Sequence, residues 1–134
     1  MKARILTILI IIGIGFLTSC NNDDVDIPEK TINGTWNLRN VKGGLASINN
    51  DYQKGDIQWT FNPINNTLTV ANNIGNDKAF TLHSGTYQFN IEQNVESQIL
   101  FVSNNDYRMV ILSMDQNLII TDDMNDGFTA EFNR

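Results

Sequence analysis

Residues 57–71, IQWTFNPINNTLTVA, decide the fold class of this chain. The first six residues alternate apolar and polar side chains, which is the period of a β-strand with one buried face. One proline and two asparagines follow within four residues, a composition typical of a turn. A second alternating run then starts at Thr67. The stretch therefore predicts a β-hairpin whose inward-facing side chains are Ile57, Trp59, Phe61, Leu68 and Val70.

Similar short runs lie on both sides of this hairpin, and no helical period appears after Cys20. About eight antiparallel strands are predicted, and an up-and-down barrel closes such a set without exposed edges. A barrel of that size holds either its own side chains or one small ligand. An open β-sandwich is the alternative architecture. A long loop is predicted between Val41 and Gly55. The remaining strands are predicted over Ile32–Arg39, Phe80–Ile91 (one bent strand), Ile99–Val102, Tyr107–Leu112, Leu118–Thr121 and Phe128–Phe132.

The start of the chain carries an export signal. Lys2 and Arg4 precede an apolar run over residues 5–17, which ends in Leu17-Thr18-Ser19-Cys20. A basic start, an apolar segment and small residues before a cut are typical of a secretory signal. The apolar run is shorter than the ~20 residues that span a bilayer. Cys20, the only cysteine, lies where a bacterial lipoprotein carries its lipid, whereas an ordinary signal peptide would leave it unmodified. The predicted divisions are a signal peptide over 1–19, a flexible acidic tether over 20–31 and a folded domain over 32–134.

Charge and the residues after Cys20 limit the partners and the location. The net charge is −6 at pH 7, and loss of Lys2 and Arg4 would make it more negative. An acidic domain without a basic cluster repels phosphate backbones, which argues against nucleic-acid binding. Asn21 stands where an aspartate can retain a lipoprotein in the inner membrane, so the outer membrane is predicted. Asp23-Asp24 is similar to surface-export signals or is simply solvated linker, which leaves the periplasmic and surface-facing sides both open.

Two short motifs resemble the lipocalins and the wider calycin group. Gly34-Thr35-Trp36 is similar to their Gly-x-Trp motif, and the chain end from Asp126 to Arg134 resembles the last strand of small bacterial lipocalin-like lipoproteins. The resemblance implies that Trp36 closes one end of a barrel and that Arg134 packs across its ring. The Thr-Asp motif of many lipocalins is missing from residues 113–117, and Thr121-Asp122 supplies the dipeptide one strand later.

Aromatic side chains on inward-facing positions are the candidate ligand contacts. Trp59 and Tyr87 are predicted to line a pocket for a small apolar molecule, because each combines a large apolar area with a polar group. The alternative is that these rings, together with Trp36, Phe61 and Phe89, fill the core of a solid barrel.

Catalytic and metal sites are not predicted. His83, the only histidine, is adjacent to Ser84, and adjacent residues of a strand point to opposite faces. The segment from Asp122 to Gly127 superficially resembles a calcium loop, but Met124 occupies a position where an oxygen ligand is required. No cofactor is implied, and the segment is predicted to be a turn.

The last part of the chain has apolar residues on both faces of three successive runs. The alternation predicts one face that carries Leu100, Val102, Val110, Leu112 and Ile119, and another that carries Ile99, Phe101, Met109, Ile111, Leu118 and Ile120. If the first set were exposed, it would form a patch for weak self-association or a protein partner. The sequence thus predicts an envelope lipoprotein that binds a small hydrophobic or amphipathic ligand without catalysis. The alternative is a solid barrel that docks a protein.

Overall fold

The computed structural model describes residues 30–75, 81–103, 106–122 and 124–134. Within these ranges the chain is all-β and contains no helix, so no described segment is a helix that could cross a membrane. The strands are β1 (Gly34–Gly43), β2 (Ile48–Asp51), β3 (Ile57–Asn62), β4 (Thr67–Asn72), β5 (Gly85–Gln93), β6 (Gln98–Val102), β7 (Tyr107–Met114), β8 (Asn117–Thr121) and β9 (Phe128–Asn133).

Eight of these strands close into an antiparallel barrel. From β3 to β9 each strand pairs with the next along the chain, and β1 pairs with both β3 and β9. Closure is set by β1 against β9, where Asn37 lies opposite Asn133 and Gly43 opposite Phe128. The predicted eight-stranded barrel is therefore confirmed, and the open sandwich is excluded. The architecture is consistent with a lipocalin-like barrel.

The hairpin of β3 and β4 forms as its sequence predicts. Trp59 lies opposite Val70 and Phe61 opposite Leu68, and all four side chains are buried. The turn is stabilised locally, because Asn62 Oδ1 accepts a hydrogen bond of 3.1 Å from the Ile64 backbone N–H. Burial of these four large apolar side chains stabilises the pair of strands, and each side chain contributes roughly 1.5–3 kcal/mol.

The predicted long loop over Val41–Gly55 is wrong. Strand β1 continues to Gly43, and β2 folds back on it with Asn40 opposite Asp51 and Gly43 opposite Ile48. The strand β2 occupies the edge of β1 that β3 leaves unpaired after Asn37. Its sequence, INND, lacks an alternating apolar pattern because its side chains are half-buried or exposed.

The predicted bent strand over Phe80–Ile91 is also shorter than expected. Phe80 lies outside the described residues, residues 81–84 are not in a strand, and β5 begins at Gly85. The Ser84 hydroxyl instead accepts a hydrogen bond of 2.8 Å from the Asn72 backbone N–H. Gly85 thus marks the start of the strand rather than a bend within it.

Apolar side chains fill the barrel from the end at which β1 begins. This end, called the Trp36 end below, is formed by the start of β1 and the last residues of β9. Trp36, Leu38, Phe61 and Phe132 have at most 1% of their surface exposed, and they belong to one continuous core. All nine described strands and the described core lie within residues 32–134, so the barrel makes its described packing contacts within this part of the chain.

The assignment of faces in β6, β7 and β8 requires a correction. Leu100 and Val102, predicted to be exposed on an outer patch, are fully buried in the core. Directly opposed residues of an antiparallel pair share a face, and the register places Leu100 opposite Met109 and Ile99 opposite Val110. The predicted patch is therefore wrong, because it combines residues of the inner and the outer face. The outward-facing apolar residues are Ile99, Phe101, Val110 and Ile119, with Leu112 at a bulge in β7 where 60% of its surface is exposed.

Tyr52 makes the stability of the barrel sensitive to alkaline pH. Only 4% of its surface is exposed, and burial raises the pKa of its hydroxyl above the ordinary value of 10.0. The folded state therefore keeps this proton at a pH at which the unfolded chain has lost it. The contribution to stability is fully present below pH ~10 and is lost as the pH rises through the raised pKa. We expect the free energy of unfolding to fall more steeply above pH 10 in the wild type than in Tyr52→Phe.

Urea unfolding at a series of pH values measures this difference. Tyr107→Phe is the matched control, because Tyr107 is 49% exposed. Equal pH slopes for the wild type and Tyr52→Phe would show that the Tyr52 hydroxyl is not the group responsible.

Candidate ligand cavity

A cavity of about 530 Å³ lies at the end of the barrel opposite the Trp36 end. This end, called the cavity end below, is where β7 begins and β8 ends. The cavity is lined by Trp59, Thr81, Leu82, Asp106, Tyr107, Arg108, Met109, Asp122 and Met124. The barrel is thus neither wholly solid nor wholly hollow, because its core is packed near Trp36 and open at the other end.

The inner wall of the cavity is apolar and buried. Trp59, Leu82 and Met109 have 1%, 6% and 5% of their surfaces exposed. Trp59 faces inward because it alternates with Gln58 and Thr60 along β3, and its ring centroid lies 4.9 Å from that of Phe132. The packed aromatic rings fix the indole in place, so the inner wall is preformed.

The indole nitrogen of Trp59 is an unusual polar group of the barrel interior. Trp59 Nε1 is buried and has no hydrogen-bond partner in the described part of the chain. The indole of Trp36 behaves differently, since its Nε1 donates a hydrogen bond of 2.8 Å to the Ile32 carbonyl. A buried donor without an acceptor costs roughly 1–3 kcal/mol, so such groups are rare in native proteins.

Charged side chains surround the mouth of the cavity. Asp106 and Arg108 are exposed, and Asp122 is half-buried. Asp122 also has a structural role, because its Oδ1 accepts a hydrogen bond of 2.9 Å from the Phe128 backbone N–H. The hydroxyl of Thr121 donates a hydrogen bond of 3.0 Å to the carbonyl of the same residue, Phe128. Thr121-Asp122 thus joins the end of β8 to the start of β9.

The structure does not bring the two predicted ligand contacts together. Trp59 lines the cavity, whereas Tyr87 is not among its lining residues. Gly85 is in register with Val70, and Val70 with Trp59. Tyr87 lies two residues further along β5, opposite Leu68, and is therefore one inward-facing position nearer the Trp36 end. Its hydroxyl donates a hydrogen bond of 2.8 Å to the His83 carbonyl. Tyr87 therefore has a satisfied polar group and packs against the core.

Leu82 and Met109 are cavity residues that sequence reasoning did not select. The sequence predicts Leu82 within a strand, but that strand begins three residues later, at Gly85. For Met109, the sequence predicts two apolar faces in this region and gives no strand register from which the inward face could be identified. The pairing of Met109 with Leu100 supplies that information. Thr81, Arg108 and Met124 come from loops or strand ends, where no periodic pattern marks a lining residue.

At the Trp36 end, the contact implied by the lipocalin resemblance is present. The Arg134 guanidinium carbon lies 4.4 Å from the centroid of the Trp36 ring. The same guanidinium donates a hydrogen bond of 2.7 Å to the Thr31 carbonyl. Gly34, the first residue of the motif, has a φ of +104° at the start of β1. Arg134 therefore closes this end and holds the segment that leads into β1.

The residues weighed for catalysis and metal binding form no reactive cluster in the described ranges. The Ser84 hydroxyl bonds to the backbone N–H and carbonyl of Asn72. No group of three or more histidine, cysteine, aspartate or glutamate residues among those described is placed to hold a metal ion. Between β8 and β9, the Gly127 N–H donates a hydrogen bond of 2.9 Å to the Met124 carbonyl, as in a turn. Cys20 and the predicted signal peptide lie outside the described residues.

Comparisons of the chain with protein-family models, with curated proteins and with solved structures found no significant match.

Proposed function

We propose that the barrel binds one small hydrophobic or amphipathic molecule at the cavity end, without catalysis, as a lipoprotein of the outer membrane. The observation that carries the proposal is the cavity of about 530 Å³ whose inner wall is apolar and buried. Its volume falls in the range of roughly 300–1,000 Å³ typical of small-molecule sites. Its lining also has the usual chemistry of such sites, an apolar interior with a few polar groups.

The chain that leads to the proposed lipid anchor would join the barrel at the end away from the cavity. Lys30 and Thr31 lie at the Trp36 end, where Lys30 Nζ is 3.1 Å from Asp115 Oδ1 and Thr31 accepts a hydrogen bond from Arg134. The tether to Cys20 would therefore be attached to the barrel at the end away from the cavity mouth. The intact mass of the membrane-extracted protein tests the anchor, which requires loss of residues 1–19 and added acyl mass on Cys20.

Native mass spectrometry of residues 21–134, before and after incubation with an envelope lipid extract, tests ligand binding. We expect one discrete added mass per barrel. Met109→Trp should reduce the abundance of this adduct at least several-fold, because the larger side chain occupies cavity space. Ile64→Trp is the matched control, since Ile64 is 96% exposed in a turn and its replacement should leave the adduct unchanged. A folded wild-type domain that acquires no added mass would contradict the proposed function.

Docking of a protein partner, or weak self-association, is the second candidate function. It rests on Leu112, which is 60% exposed beside the half-buried outward side chains of Val110 and Ile119. The monomer already shields much of this outer face, because Ile99 is only 5% exposed. A dimer in the same native spectra, lost in Leu112→Ser, would favour this candidate.

A further inference from the structure

We infer that the ligand is an amphipathic cation, and that its charged head group binds the Asp122 carboxylate while its apolar part enters the cavity. The inference rests on the proposed function and specifies the chemical class of ligand. Alkylamines, which are protonated at neutral pH, belong to this class, whereas fatty acids do not.

The first argument is the position of Asp122 in the barrel. Along β8 the fully buried, inward-facing residues are Leu118 and Ile120, and Asp122 is the next residue in this alternation. The backbone agrees, because the Asp122 N–H donates a hydrogen bond of 3.2 Å to the Phe128 carbonyl and so extends the pairing of β8 with β9 by one residue. Asp122 lines the cavity and is half-buried. It therefore places a negative charge in a cavity whose inner wall is apolar.

The second argument is the balance of charge around that carboxylate. No lysine, arginine or histidine in the described ranges forms a salt bridge with Asp122. Arg108 also lines the cavity, but it lies opposite Phe101 on the outward-facing side of β6 and β7. Asp106 is exposed in the turn before β7, so water solvates its charge. The whole chain has a net charge of −6, which favours the approach of a cation over that of an anion.

The third argument is that the Asp122 carboxylate keeps an oxygen for a ligand. Its Oδ1 accepts the hydrogen bond from the Phe128 N–H, whereas its Oδ2 accepts none within the described part of the chain. A carboxylate has sites for about four hydrogen bonds, so the turn uses only part of its capacity. A half-buried carboxylate has lost some of its hydration, and a ligand ammonium group would replace that hydration with a charge-assisted hydrogen bond.

Isothermal titration calorimetry with three probes of equal chain length tests the inference. The probes are octylammonium, octanoate and 1-octanol at pH 7. The protein is residues 21–134, which contain all nine described strands, and its folding is checked by circular dichroism. We expect octylammonium to bind at least 10-fold more tightly than octanoate, because the carboxylate attracts one head group and repels the other.

Asp122→Asn shows whether this carboxylate causes the difference. Asparagine keeps an oxygen acceptor for the Phe128 N–H and removes the charge, so the turn should be retained. Octylammonium affinity should fall by about 3- to 10-fold, whereas 1-octanol affinity should change by less than twofold. Asp106→Asn is the matched control, since an exposed carboxylate at the same mouth contributes little, and it should change octylammonium affinity by less than twofold.

Two results would overturn the inference while leaving the proposed function in place. One is octanoate binding to the folded wild type as tightly as octylammonium, a comparison that requires no variant. The other is an octylammonium affinity that folded Asp122→Asn lowers no more than it lowers that of 1-octanol, which would show that the charge of Asp122 does not bind the head group. If none of the three probes binds the folded wild type, the proposed function fails together with the inference.

Discussion

Gly43→Ala is expected to lower the free energy of unfolding by about 3 kcal/mol or more. Gly43 ends β1 with a φ of +124°, a conformation that costs a residue with a Cβ about 1–2 kcal/mol. A Cβ there would also overlap the Gly127 carbonyl oxygen. That oxygen cannot easily turn away, because it accepts a hydrogen bond of 3.2 Å from the Gly44 N–H. The substitution therefore strains the point where β1 meets both β2 and β9.

Gly55→Ala separates the two contributions to this effect. Gly55 also has a positive φ, of +94°, but a Cβ at this position has no heavy atom within 4 Å. Only the backbone cost of about 1–2 kcal/mol should appear. Equilibrium unfolding in guanidinium chloride measures both variants. Equal losses in Gly43→Ala and Gly55→Ala would show that the overlap with Gly127 is relieved at little cost.

The same glycine shows why part of the fold could not be predicted from the sequence. The hairpin over residues 57–71 was predictable, since one face is buried and the alternation records that burial. The strand β2 has no alternating apolar pattern. Gly43 and Gly44, both with positive φ, turn the chain back, and β2 then pairs with the backbone of β1. A strand that is positioned by backbone pairing and turn geometry needs no alternating apolar residues, so its sequence does not predict it.

The candidate site was predictable to a smaller extent. Trp59 was chosen because alternation along β3 points it inward, and it does line the cavity. Tyr87 was chosen by the same rule, but alternation gives the face of a residue and not its height along the barrel axis. Height depends on register, and register depends on which residues of neighbouring strands pair, as Met109 with Leu100 shows. A single sequence therefore identified an inward-facing ring without telling whether it fills the core or lines a cavity.

Trp36→Phe is expected to lower the free energy of unfolding by about 2–4 kcal/mol, whereas Trp59→Phe should lower it by less than about 1 kcal/mol. The two tryptophans are cross-strand partners, and both are almost fully buried. Both substitutions remove the same volume from the core. Only Trp36 also loses a hydrogen bond, to the Ile32 carbonyl, and a stacking contact with Arg134. The whole guanidinium contact is worth about 0.5–2 kcal/mol, and part of it is lost because the ring of Phe binds a cation less well than that of Trp.

For Trp59, removal of the indole N–H works in the opposite direction. The substitution eliminates a buried donor that has no acceptor in the described ranges, which offsets part of the cost of the smaller side chain. Urea unfolding of the two variants, without ligand and at the same pH, measures the difference. Arg134→Gln combined with Trp36→Phe, and separately with Trp59→Phe, shows whether the Trp36 effect includes the guanidinium contact. If it does, the losses of stability should be non-additive for Arg134→Gln with Trp36→Phe and additive for Arg134→Gln with Trp59→Phe. A loss for Trp59→Phe as large as that for Trp36→Phe would mean that the indole N–H of Trp59 is already satisfied within the protein.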